Sequence, residues 1–304
     1  MMRILVTGAT GLIGTQLCSY LLSKGHFLNI LTTRTPWQTN DEQTQVFQWS
    51  PQNMQIDHRA LDGVNAIINL AGAKINQRWT KKNKRSILNS RIHSTNLLLN
   101  AVKHTKQKPH LINASAIGIY PSDLLKQYTE SDDVFSNDFD SEVVRQWEGE
   151  AKQFEKLSCK TTILRIGLVL SNKGGAFLPL SQPTRLGLGA WFGNGQQWQS
   201  WIHIDDLIGL IDFCLQNQLV GCINATAPNP VRQQDLIQTI AKELRVPQFL
   251  PGIPKFLMFI TLGEMHKLVF DSIYAKPERL LDCQYPFKFP DLSTCVADLI
   301  TKDK

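Results

Sequence analysis

The chain has no Cys-x-x-Cys pair, no long apolar run and no strong excess of one charge sign. Each absence removes a class of protein. Its six cysteines, Cys18, Cys159, Cys214, Cys222, Cys283 and Cys295, are scattered, with no histidine at ligand spacing. That argues against a metal site and fits reduced, mostly buried thiols in a cytoplasmic protein. The longest apolar run, Phe256 to Leu262, is far too short to span a bilayer, so no membrane partner is expected. A strand-like segment begins at residue 3, which leaves no room for a signal peptide. A formal net charge of +6 over 304 residues is mild and does not call for nucleic acid. No internal repeat or low-complexity segment stands out. With 42% hydrophobic and 19% charged residues, the composition is that of a globular protein of one large or two modest domains.

What is present begins at the N-terminus. Arg3 to Thr7 is a short apolar run of the kind buried on both faces of a parallel sheet. It breaks into Gly8-Ala9-Thr10-Gly11-Leu12-Ile13-Gly14, after which Ile13, Leu17, Leu21 and Leu22 return at helical spacing. Strand, glycine turn and helix together predict dinucleotide binding. Gly8 allows the sharp turn, Gly11 lets the backbone approach a pyrophosphate, and Gly14 lets helix and strand pack closely. The phosphates would sit on the free N–H groups at the helix N-terminus, including those of Leu12 and Ile13. The bland alternative is an ordinary strand-to-helix turn.

The second strand, Phe27 to Leu31, leads into Thr32-Thr33-Arg34-Thr35-Pro36. An NAD-preferring site places a carboxylate about 20 residues past the glycines, to hold the ribose 2′-hydroxyl. Arg34 stands there, twenty positions after Gly14, with Thr33 beside it. A guanidinium pairs with a 2′-phosphate, which points to NADP(H). Arg34 as mere loop decoration is the alternative.

The stretch Asn40 to Asp62 is polar, with a strand expected at Gln45 to Trp49. Val64 to Leu70 is the next buried strand and ends in Leu70-Ala71-Gly72, small residues against which a cofactor can lie. Lys74, Arg78, Lys81, Lys82, Lys84, Arg85 and Arg91 then follow with no acidic residue among them. A solvated helix face, an anionic substrate and RNA are the three readings. RNA recognition by stacking would want several aromatics, and only Trp79 is present. A helix is expected at Ile87 to Val102, a strand at His110 to Ser115, a helix at Glu142 to Leu157 and a strand from Thr161. Strands alternating with helices predict an α/β fold, a doubly wound parallel sheet, through residue 170.

Beyond residue 171 glycines and tryptophans cluster and proline-rich loops appear, so a smaller α/β substrate domain is expected over residues 171–304. Strand Val220 to Ala225 is a candidate to return to the first unit, which otherwise covers residues 1–170. Gln234 to Leu244 is a further helix, and Asp205 or Asp206 a natural N-cap.

Taken together, TGATGLIG, INLAG, NASAIGIY and SWIHIDDL resemble the extended short-chain dehydrogenase/reductases of the epimerase type. FDSEVVRQWEGEA, GNGQQWQSWIHIDDL, NATAPNPV and PERLL narrow the resemblance to an atypical epimerase-like branch with a small C-terminal domain of unknown function. The resemblance implies a Rossmann-type fold, NADP(H), a small polar substrate, and a cofactor contact by Arg91.

It also implies three catalytic groups: a serine, a proton-passing tyrosine, and a lysine four residues on that lowers the tyrosine pKa. Ser115 sits where the serine belongs. The tyrosine and lysine belong on the helix around Trp147, yet neither residue type occurs between Thr129 and Ala151. Tyr20 and Lys24 have the spacing but lie on the wrong helix. Tyr120, Glu148 and Lys74 are candidates to carry the proton instead, and Glu148 to replace the lysine's ribose contact. The alternative is a degenerate protein that binds NADP(H) without turnover. His203 is expected to serve the core or a hinge. Arg165 and Asn194 are placed by position alone in the substrate cleft.

Overall fold

The computed structural model describes residues 1–37, 39 and 41–302; Asn40, where the polar stretch was expected to begin, lies outside the described residues. In chain order the first half contains β1 (Arg3–Thr7), α1 (Leu12–Ser23), β2 (Phe27–Thr32), β3 (Thr44–Ser50), β4 (Gln55–Ile56), β5 (Ala66–Asn69), α2 (Lys81–Lys103), β6 (His110–Ala116), β7 (Gln127–Tyr128), α3 (Phe139–Lys152) and β8 (Thr161–Ile166). The second half contains β9 (Leu168–Ser171), β10 (Gly174–Gly175), α4 (Phe177–Arg185), β11 (Trp198–Gln199), β12 (Trp201–His203), α5 (Ile204–Gln216), β13 (Gly221–Ala225), β14 (Val231–Arg232), α6 (Gln233–Leu244), α7 (Lys255–Leu262), α8 (Lys267–Phe270), β15 (Tyr274–Ala275), α9 (Glu278–Asp282) and α10 (Leu292–Thr301).

The main sheet has eight strands in the order β13-β8-β6-β5-β1-β2-β3-β4. All neighbours are parallel except β3 and β4. β1 lies inside the sheet, so alternate side chains enter different cores. Ile4 and Val6 pack with α1 and α5, while Leu5 packs with α2. This two-sided burial is why β1 reads as a continuous apolar run instead of an alternating one. The sheet draws its end strand β13 from the second half of the chain, and α5 packs beside α1 on one face.

Two helices depart from their expected bounds. α2 starts at Lys81, not Ile87, because Thr80 Oγ1 accepts the Asn83 N–H and caps a first turn that carries no apolar periodicity. α3 runs Phe139–Lys152, and the residues expected to extend it, Gln153–Leu157, form a 3₁₀ turn. No helix among the described residues is long and apolar enough to cross a membrane. All six cysteines are free; Cys159, Cys214 and Cys295 are buried, and Cys283 is exposed.

Candidate cofactor and active site

The first contribution to the site comes from the turn between β1 and α1. Gly8 has φ +68°, and a Cβ there would lie 2.7 Å from the Leu70 carbonyl oxygen. Gly14 is tighter: a Cβ would lie 2.2 Å from the Gly8 carbonyl oxygen. The two glycines therefore let β1, its turn, α1 and the end of β5 meet backbone to backbone. Gly11 is the N-cap and has no capping side chain, so the N–H groups of Leu12, Ile13 and Gly14 have no partner within the helix. Thr10 and Gly11 are exposed at the mouth of the turn. This cradle fits a pyrophosphate, which accepts such N–H bonds and is favoured by the helix dipole.

At the end of β2, Thr33 and Arg34 are exposed, and the Arg34 N–H donates to Thr32 Oγ1 at 3.2 Å. The Arg34 guanidinium makes no ion pair or hydrogen bond among the described residues. It is a free planar donor set beside the phosphate cradle.

The end of β5 is held from below. Thr7 Oγ1 accepts the N–H groups of Leu70 and Ala71, each at 3.1 Å, and donates to Asn69 Oδ1 at 2.7 Å. Asn69 Nδ2 in turn donates to Asn113 Oδ1 and Thr95 Oγ1, and Trp147 Nε1 donates to the same threonine. This buried chain fixes the Leu70–Gly72 backbone relative to three strands and two helices. The sequence reading missed Thr7, Thr95 and Asn113; the signal was an asparagine in the middle of a buried strand, a residue type rarely found there without a partner.

Arg91 reaches from α2 toward the same corner. Its guanidinium carbon lies 5.0 Å from the centre of the Trp147 ring and would be 3.1 Å from a Cβ on Gly72. Its bonds run to the carbonyls of Ala73 and Ile87, with no carboxylate partner among the described residues. Burial pushes its pKa down to about 10, so it stays cationic near neutral pH. Lys74, by contrast, is exposed.

Ser115, Tyr120, Glu148 and Arg165 converge beneath the ends of β6 and β8. Ser115 Oγ donates to Glu148 Oε1 at 2.6 Å. Arg165 closes on the same carboxylate through Nε at 2.9 Å and Nη2 at 3.0 Å. Its Nη1 donates to the Tyr120 hydroxyl at 2.8 Å, whose one proton goes to the Thr129 carbonyl or to Asn224 Oδ1, each at 2.9 Å. All four residues are at most 5% exposed. Burial pushes the Tyr120 hydroxyl up to about 12 despite the opposing Arg165 charge. Burial also works against the Arg165 cation, but the bidentate Glu148 carboxylate outweighs it and leaves the pKa raised. The structure brings four of the named candidates, Ser115, Tyr120, Glu148 and Arg165, into one network and adds Asn224, which the sequence had not singled out.

The other candidates lie elsewhere. Asn194 is exposed and uses Oδ1 to close a turn onto the Gln196 N–H. His203 is fully buried at the N-cap of α5, with Nδ1 accepting the Asp205 N–H at 3.0 Å and Nε2 3.1 Å from Asp298 Oδ2. His203, Asp205 and Asp298 come within 4.8 Å of one another, but the Lys302 ammonium lies 2.9 Å from both carboxylates and already holds them. Trp79, the one aromatic of the basic stretch, is buried edge-on against Phe139 with ring centres 5.1 Å apart.

With this geometry in view, comparison with known proteins is decisive. The profile of the NAD dependent epimerase/dehydratase family matches residues 4–224, and that of a domain of unknown function matches residues 253–299. The chain belongs to the NAD dependent epimerase/dehydratase family. An epimerase family protein of Staphylococcus aureus (strain bovine RF122 / ET3-1) is 38% identical over 99% of this chain and 100% of its own length. The crystal structure of human epimerase family protein SDR39U1 with NADPH superposes with a TM-score of 0.88 at 28% identity, covering 99% of both chains. A UDP-glucuronic acid 4-epimerase from Bacillus cereus, solved with UDP-glucuronic acid and NAD, shares the fold, with a TM-score of 0.78 at 21% identity and 99% of both chains covered. The human protein was thus solved with NADPH and the Bacillus cereus protein with NAD.

Proposed function

We propose that this family member binds NADP(H) and acts as an epimerase-like oxidoreductase on a small polar, anionic substrate. The observation that carries this reading is the Arg34 guanidinium, unpaired among the described residues, beside an intact glycine cradle. A carboxylate at that place would repel a 2′-phosphate, whereas a free guanidinium forks onto it. The NADPH bound to SDR39U1 supports the same choice.

In this reading the N–H groups of Leu12 and Ile13 hold the pyrophosphate, and Leu70–Gly72 supports the cofactor from the side. Bound NADP(H) supplies the hydride acceptor or donor. Arg91, a half-buried cation with no carboxylate partner among the described residues, receives an anionic group of the ligand. Ser115 orients the substrate oxygen, and Glu148 orients Ser115 while Arg165 cancels its charge. Tyr120 then serves to hold Arg165; a buried phenol raised to about 12 is poorly suited to give or take a proton at neutral pH. Residues 1–170 together with 204–225 form the dinucleotide unit, and the remaining segments the substrate side.

A second reading, an NADP(H)-responsive binding protein without turnover, is favoured by the way Glu148 takes up the Ser115 hydroxyl while Arg165 bridges Glu148 and Tyr120. Two measurements separate the readings. Binding titrations should show NADPH preferred over NADH, and Arg34→Glu should shift that preference by about 100-fold toward NADH; an unchanged ratio would overturn the cofactor assignment. NADPH oxidation against a carbonyl and sugar-nucleotide panel should reveal a turnover that Ser115→Ala abolishes. No turnover across the panel leaves the binding protein as the better account.

A further inference from the structure

The apolar run Phe256 to Leu262 is too short to cross a membrane, yet it is not in the core either. It forms α7, a helix with no buried residue. Phe256, Leu257, Phe259 and Ile260 are 63%, 44%, 55% and 64% exposed. At about 100° per residue they cover an arc of about 160° of the helix surface, with Met258 and Leu262 on the opposite, half-buried side. Phe249, on the loop that leads into α7, is 81% exposed. A helix apolar on its outer face is normally covered, so this one lacks its covering partner.

The neighbourhood of α7 identifies that partner. Arg78 donates to the carbonyls of Ile260 and Thr261, at 3.0 and 3.1 Å, and Lys84 pairs with Glu264 just beyond the helix. These bonds tie α7 to the start of α2, where Lys81, Lys82 and Arg85 are exposed and make no ion pair among the described residues. Two of these cations stand in the first turn of a helix, where the positive end of the dipole opposes them. Folding therefore works against these charges, and an anionic partner is what would favour them. A second copy of the chain docking through the same face would bring like cations together, which disfavours self-association.

We propose that α7 and the start of α2 form a peripheral membrane-binding surface, with the apolar arc entering the interface of an anionic bilayer and Lys81, Lys82 and Arg85 on its headgroups. The pairing of exposed Phe and Leu side chains with flanking Lys and Arg is what such interfacial elements present. This surface is independent of the cofactor assignment.

Sedimentation of the full-length protein with sucrose-loaded vesicles tests it. Vesicles of phosphatidylcholine with phosphatidylglycerol should carry the protein down at low salt; phosphatidylcholine alone should not. Lys81→Glu with Lys82→Glu should weaken binding by at least tenfold, since each basic residue near an anionic surface is worth about fivefold. Phe256→Ser with Phe259→Ser should abolish it, while NADPH affinity and thermal unfolding stay as in the parent. Failure to sediment with anionic vesicles, or equal sedimentation with both compositions, overturns the proposal. A concentration-dependent dimer that the phenylalanine variant dissolves, with no vesicle binding, overturns it in favour of a second copy.

Discussion

Glu148 and Arg165 form a buried, bidentate ion pair with side chains 3% and 6% exposed, and its removal can be predicted in some detail. Taking away either partner leaves the other charge in the interior with only neutral dipoles around it. Breaking a buried pair in this way costs about 3–5 kcal/mol. Glu148→Leu strands the Arg165 cation against Tyr120, and Arg165→Leu strands the carboxylate with only the Ser115 hydroxyl and the weakly donating Cys222 thiol among the described residues. For a 304-residue chain, an unfolding entropy of about 2.1 cal/mol/K per residue turns that cost into a Tm loss of about 5–8 °C for each single variant. The double variant removes both charges at once. It loses about 1 kcal/mol per orphaned hydroxyl bond but no longer buries an unpaired charge. It should therefore be more stable than either single variant. Scanning calorimetry of the four proteins closes the cycle. If the double variant loses as much as the two single losses combined, the pair does not act as a unit and the electrostatic account of this network is wrong.

Two further outcomes follow from particular contacts. Gly14→Ala places a Cβ 2.2 Å from a backbone oxygen that cannot move without opening the glycine turn, so NADPH affinity should fall by at least about tenfold and Tm with it; a titration within twofold of the parent would contradict the close-approach argument. Asp271 is raised to about 6 by burial and by the nearby Asp140 charge, so the folded protein holds this proton longer than the unfolded chain does. Its contribution is fully present below the unfolded pKa near 3.8 and is lost as pH rises through about 6, by up to about 3 kcal/mol before solvent screening reduces it. Asp271→Asn should remove that slope and be the more stable form at pH 7, as urea unfolding at pH 4, 5, 6 and 7 would register; parallel profiles for the two proteins would refute the assignment.

The parts of the fold that were legible in the sequence are those built from local pattern. β1 was read at its observed bounds because every residue of Ile4–Val6 is buried and no polar residue interrupts the run. The glycine turn was legible because three separate steric demands fall on three glycines. α2 was read too short because Lys81 to Ser86 has no apolar residue to reveal a period, and only the Thr80 cap marks its start. α4 was not read at all: Pro183 stands inside it, and proline argues against a helix interior. At the site, Ser115, Tyr120 and Glu148 could be named singly from motif position. Their mutual arrangement could not, because Ser115, Glu148, Arg165 and Asn224 come from four different elements and meet only through the sheet register. Nor does spacing along the chain show which hydroxyl will be buried, so the sequence could offer Tyr120 only as one of several candidates to carry the proton.

The position of β13 at one end of the main sheet bears on how this protein can be made. β8, Thr161–Ile166, is complete as soon as the first half of the chain has been synthesised, yet the strand that covers its free edge arrives only at Gly221–Ala225. For more than fifty residues of translation, a wholly parallel, β-branched edge has no neighbour, and such an edge readily pairs with another chain. A truncated product ending near residue 170 would carry that edge permanently. The N-terminal half of the molecule is thus unsuited to expression by itself, and a nascent chain stalled there would be a seed for aggregation.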